Sequence, residues 1–131
     1  MMASFQLTGA LLVALGGALG GVARFWITES LSTVRLPVGT LVVNFSGAFI
    51  VGMIGAGLVE GRLSVGESLF HFLVIGVLGG YTTVSAVSLQ TILFWRGRDH
   101  GLAVFNLGLS VFGCLLASGA GFLLTRTVLT G

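Results

Sequence analysis

The sequence predicts an all-α membrane protein of four transmembrane helices, with the third helix interrupted near its middle. Three observations carry that prediction. Of 131 residues, 55% are hydrophobic and only 8% are charged, whereas a soluble domain of this size carries charge on about a quarter of its residues. The mean hydropathy is +1.09. The apolar residues gather into four runs, each long enough for the about 20 residues that a spanning helix requires. The short charged connections between the runs make neighbouring helices antiparallel, and residues 1–131 read as one four-helix domain.

The first run is Leu7–Ile27. Its flank "MMASFQ" has no Lys or Arg, and a secretory signal would have a basic start, so it reads as a retained helix. Within it "GGALGG" sets Gly16 against Gly20 and Gly17 against Gly21 at the small-xxx-small spacing of close helix packing. Arg24 lies one turn before the end and has two readings: snorkelling to the interface, or anchoring a polar vestibule. The second run is Val38–Val59, where Asn44 is the strongly polar residue. A bare amide is costly in hydrocarbon, so Asn44 faces either a partner helix or a polar pathway.

The third run, Leu69–Trp95, would span roughly 40 Å as a straight helix against a hydrocarbon core of about 30 Å. At its midpoint stands "GGYTT", Gly79 to Thr83. Either a break lies there, tolerable only where protein or a watery cavity satisfies the freed backbone groups, or the two glycines form a packing site. Exposed carbonyls of broken membrane helices commonly bind cations. Thr82, Thr83, Ser85, Ser88 and Thr91 follow as a run of hydroxyls, with Ser85 and Ser88 on one helical face. Hydroxyls that bond back to their own helix are the plainer reading of each. The fourth run, Gly101–Leu124, adds Asn106 and Ser110 at i, i+4. Trp26 and Trp95 mark helix ends, as interfacial aromatics do.

Composition also excludes functions. Six arginines, no lysine and a net charge of +2 are too sparse for nucleic acid. The single Cys114 rules out an internal disulfide. The spans contain no Asp or Glu, which disfavours a proton-coupled pump or a small exporter of organic cations. No nucleophile–base pair is in view, so the chain is not read as an enzyme. Neutral donors and an arginine suit an anion that must be dehydrated without being held tightly. Four short helices enclose too little volume for a pore, so conduction needs a dimer. The arginines divide weakly, with Arg62 and Arg126 on one side and Arg24, Arg35, Arg96 and Arg98 on the other, so insertion in both orientations is expected.

"GGVARFW", "GTLVVNFSGAFIVG" and "GGYTTVSAVSLQT", in that order on helices one, two and three, resemble the Fluc/CrcB fluoride channels over the whole chain. The resemblance implies passive export of fluoride across the bacterial inner membrane by an antiparallel, dual-topology homodimer with two pores along its interface. It implies a structural Na+ on the dimer axis, held by the backbone carbonyls of Gly79 and Thr82 from each subunit. It makes Asn44 a pore-facing donor, Thr83, Ser85, Ser88 and Ser110 a polar track, and Arg24 a vestibule residue. Two departures stand out. Where the family has phenylalanines three apart after "TT", this chain has Val84 and Val87. Where the family has a tyrosine four residues before the serine of the fourth helix, it has Asn106. The valines leave room for two other readings: an accessory subunit of a heterodimer with a phenylalanine-bearing homologue, or a non-conducting membrane scaffold.

Overall fold

A computed structural model describes residues 2–31 and 36–131, with side chains from Leu7 onward. Arg35, counted above in the charge balance, lies outside the described residues. The elements are α1 (Met2–Ser30), α2 (Val38–Val59), α3 (Glu67–Phe70), a π-helical stretch (His71–Leu78), α4 (Gly79–Tyr81), α5 (Val84–Arg96) and α6 (His100–Thr130). From α3 through α4 the helix is continuous, so with α5 it makes the third span, Glu67–Arg96. Among the described residues four helices are long and apolar enough to cross a membrane, and the protein is a multi-pass membrane protein.

The second span has the boundaries read from the sequence. The other three run longer, because polar residues just past an apolar run stay helical when their backbone groups find partners. Asp99 caps α6 by accepting from Leu102 N at 3.1 Å, which starts that helix at His100 rather than Gly101. At the far end Thr127 and Thr130 return their hydroxyls to the carbonyls of Leu124 and Arg126, so the helix continues beyond Leu124.

Glycine decides which helices meet. A methyl group on Gly16 would lie 2.9 Å from Gly76 Cα, and one on Gly20 would lie 2.8 Å from Tyr81 N. Gly80 answers from the other side, where a methyl would lie 2.7 Å from Gly17 Cα. The glycines of "GGALGG" therefore set α1 against the first half of the third span, backbone on backbone. On α2 a methyl at Gly52 would fall 2.8 Å from the carbonyl carbon of Ser118, while the Phe45 ring occupies the space beside Gly113. Contacts ascend in step along both pairs, so α1 runs parallel to the third span and α2 parallel to α6. α5 packs on α6 as well.

The interruption is narrower than "GGYTT". Gly79–Tyr81 is helical, and only Thr82 (φ −79, ψ 155) and Thr83 (φ −151, ψ 123) are extended. Both earlier readings of the glycines meet here: Gly80 is a packing site against α1, and the break begins two residues later.

Candidate functional site

An open groove of about 620 Å³ runs along α2, the break, α5 and α6. Its walls include Asn44, Gly79, Thr82, Thr83, Ser88 and Ser110, so the fold gathers six of the eight residues singled out above. None of its lining residues is charged.

At its centre Asn44 is spliced into the break. Its Nδ2 donates to Thr83 O at 2.9 Å, and its Oδ1 accepts from Thr83 N at 2.8 Å. Asn44 is 7% exposed and Thr83 8%, so one side chain satisfies both backbone groups of a buried extended residue. Those groups would otherwise cost about 1–3 kcal/mol each. The second Nδ2 hydrogen remains for the groove that Asn44 lines.

The pairing has a counterpart in the helix ladder. Thr82 N still donates to Leu78 O at 3.0 Å, four residues back. The next bond of an α-helix would run from Thr83 N to Gly79 O, but Asn44 takes that N–H. Three residues on, the Ala86 N–H that would serve Thr82 O donates instead to Thr83 Oγ1 at 3.2 Å, the N-cap of α5. The carbonyls of Gly79 and Thr82 are thereby both released from the ladder.

The hydroxyls are not equivalent. Ser88 donates back to Val84 O at 3.1 Å and Thr82 to Leu78 O at 3.0 Å, as the plainer reading of each expected. Ser110 differs: it is 5% exposed, and its Oγ is buried with no hydrogen-bond partner. Asn106, one turn earlier on α6, is spent on α5: its Nδ2 donates to Thr91 Oγ1 at 3.0 Å. Ser85 and Arg24 do not line the groove. Ser85 Oγ instead pairs with Thr83 Oγ1 at 3.1 Å. The half-buried Arg24 lies on α1, and Thr28 bonds its carbonyl.

Val84 and Val87 both line the groove, at 81% and 6% exposure. No phenylalanine does. Phe45 packs beside Gly113, and Phe105 and Phe112 are exposed elsewhere on α6.

Two polar contacts were not anticipated. Gln90 Nε2 donates to Thr40 Oγ1 at 2.8 Å, joining α5 to α2, and Ser46 Oγ pairs with Tyr81 OH at 2.9 Å. The usable signal was burial cost: a glutamine and a threonine on apolar spans must find each other or another donor.

Residues 11–122 match the family model described as CrcB-like protein, Camphor Resistance (CrcB). Among curated relatives, a protein of Methylocella silvestris named fluoride-specific ion channel FluC is 44% identical over 109 residues, 80% of this chain and 83% of its own. Its namesake from Methylobacterium radiotolerans is 43% identical over 117 residues, 87% and 82% of the two chains. That from Opitutus terrae is 45% identical over 111 residues, 82% and 84%. With a family model spanning most of its length and relatives of this similarity, the chain belongs to the CrcB family.

Proposed function

We propose that this chain is a fluoride-specific ion channel, not an enzyme, which passively lowers cytoplasmic fluoride from the inner membrane of a bacterium. The observation that carries the reading is the groove: an uncharged wall that holds both the buried, unpartnered Ser110 hydroxyl and the Asn44 amide. The relatives' name supplies the ion. Fluoride holds its hydration shell strongly, so its path needs donors that replace water without a fixed cation to trap the ion. Ser110 and the second Nδ2 hydrogen of Asn44 are such donors, and Ser88 joins them by turning its hydroxyl from Val84 O. Thr83 and Ser85 belong to the same track through their paired hydroxyls, and Arg24 serves the vestibule. The membrane potential drives each ion by about 2.3 kcal/mol per 100 mV.

In this reading the groove closes against a second, antiparallel copy, giving two pathways along the interface. The residues at the break fit a structural Na+. The released carbonyls of Gly79 and Thr82 are neutral oxygen donors of the kind a hard cation takes, and nothing lies within 4 Å of where a Gly79 methyl would be. When bound, the ion supplies a fixed positive charge among four carbonyl dipoles from two subunits. Replacing sodium by a large organic cation is expected to lower thermal stability and stop conduction.

The deciding experiment is fluoride efflux from liposomes holding only this protein. Efflux is expected, slower than through relatives with phenylalanines in place of Val84 and Val87. Those two valines favour one second reading, a heterodimer whose partner brings the rings. An inert purified protein, with efflux restored by co-expressing a phenylalanine-bearing homologue, would establish it.

A further inference from the structure

We infer that Asn44 is a positioning residue for the cation site, and that it opens this site by taking the Thr83 N–H away from the Gly79 carbonyl. The inference rests on the sodium reading above and adds to the groove role of Asn44 a second one that uses its other end. A carbonyl already holding an N–H in its own ladder is a poorer ligand, because its charge is spent on that donor. In an uninterrupted helix the Gly79 carbonyl would hold Thr83 N–H. The preceding bond, Thr82 N to Leu78 O at 3.0 Å, shows the chain in α-register after the π-helical stretch. One residue later the ladder is diverted, and the diverting atom is Asn44 Oδ1, 2.8 Å from Thr83 N.

The neighbours of Asn44 fix the same geometry. Ser46 pairs with Tyr81 OH at 2.9 Å, and the absent side chain of Gly47 leaves the space into which the Thr82 γ-methyl projects. The stretch Asn44–Gly47 thus templates the break from α2. Acceptor and donor functions of the amide divide accordingly: Oδ1 serves the cation site through Thr83 N, and Nδ2 serves the groove. Ion path and cation site share one side chain, and a change that spares Oδ1 separates them.

The test is thermal unfolding of the full-length purified protein in detergent, followed by Trp26 and Trp95 fluorescence. Sodium is titrated against N-methyl-D-glucamine at constant salt. The unsubstituted protein is expected to melt at a temperature that rises with sodium. In Asn44→Leu, Thr83 N–H is free to return to Gly79 O. About tenfold more sodium is then expected for the same rise, the equivalent of one weak hydrogen bond of about 0.7 kcal/mol in each of the two subunits. Asn44→Ser, too short to span the peptide of Thr83, is expected to behave alike and reads the same quantity where the leucine variant does not fold. Asn44→Asp, measured at a mildly acid pH where burial keeps its carboxyl neutral, keeps an oxygen for Thr83 N–H and an O–H for Thr83 O. It is expected to stay within about threefold of the original, while its fluoride efflux falls for want of the second amide hydrogen. Sodium dependence unchanged in both Asn44→Leu and Asn44→Ser overturns the positioning role alone and leaves Asn44 a groove donor. A tenfold loss in Asn44→Asp likewise overturns the assignment to Oδ1. An unsubstituted protein indifferent to sodium overturns the cation reading itself, and this inference with it.

Discussion

Ser110 and Ser88 line one groove but bring different chemistry to it, because one hydroxyl is unpartnered and the other already donates to its own helix. A dehydrated anion gains most from a donor that gives up nothing to reach it. Ser110→Ala is therefore expected to slow fluoride efflux more than Ser88→Ala, by a factor of several, corresponding to about 1 kcal/mol. Flux through reconstituted liposomes at matched protein density measures the difference. Val84 and Val87 divide in a similar way. Val84 is 81% exposed and Val87 6%, so Val84→Phe has room whereas Val87→Phe overpacks an interior position at a cost of about 1–3 kcal/mol. A phenylalanine edge carries partial positive charge, so Val84→Phe is expected to raise fluoride flux with the melting temperature unchanged. Val87→Phe is expected to lower the melting temperature. The sequence singled out the hydroxyls and amides of the spans but not their occupancy. That Asn44 is tied to the backbone of a residue 39 positions away is a tertiary fact with no periodic signature. Ser85, which shares a helical face with Ser88, bonds instead to Thr83 two residues earlier, a local contact set by the break rather than by helical periodicity.

Helix ends carry the clearest local rules, and one of them is violated. After α2 the chain turns through Gly61 at φ 64, and Arg62 N reaches back to Gly57 O at 3.0 Å. After α5 the same closure forms, with Asp99 N bonded to Phe94 O at 3.0 Å, but the left-handed residue is Arg98 at φ 63. Glycine is the usual occupant of that position, and an L side chain there costs about 1 kcal/mol. Arg98→Gly is expected to raise the melting temperature by a few degrees, measurable by tryptophan fluorescence. The element count, the antiparallel order of neighbours and the break were legible from hydropathy and excess length. The caps Thr83 and Asp99 follow ordinary N-cap chemistry and were readable in principle. Hydropathy alone stops at the last apolar residue, so it shortened the first, third and fourth spans. It also has no term for the π-helical stretch His71–Leu78, which coincides with the close approach of Gly76 to Gly16.

For the whole molecule, the sparse charge has a consequence of its own. Arg126 pairs with Glu60 at 3.0 Å, which places the ends of α2 and α6 on one side, where Arg62 also lies. The opposite side holds Arg24, Arg96 at the end of α5 and Arg98 in the turn before α6. With so small a difference, single copies are expected to insert both ways. A cysteine introduced at Gly131, in a chain whose Cys114 is replaced by Ala, is expected to be labelled in part by an impermeant reagent added to intact cells, and in full only after the membrane is permeabilised. Labelling from one face alone would exclude an antiparallel homodimer.

The pairing of α1 with the third span and of α2 with α6 also constrains how the protein is made. Synthesis releases the helices in order, yet neither of the first two has its glycine-lined partner until later ones emerge. The face of α2 around Gly52 waits for Ser118 on the fourth span. Until then the nascent chain lacks the contacts that would fix its direction in the bilayer, so commitment to an orientation falls late, after the fourth helix has left the ribosome. A chain terminated after Arg96 is accordingly expected to be cleared by membrane proteases faster than one that includes α6, a difference that pulse–chase labelling in cells would read directly.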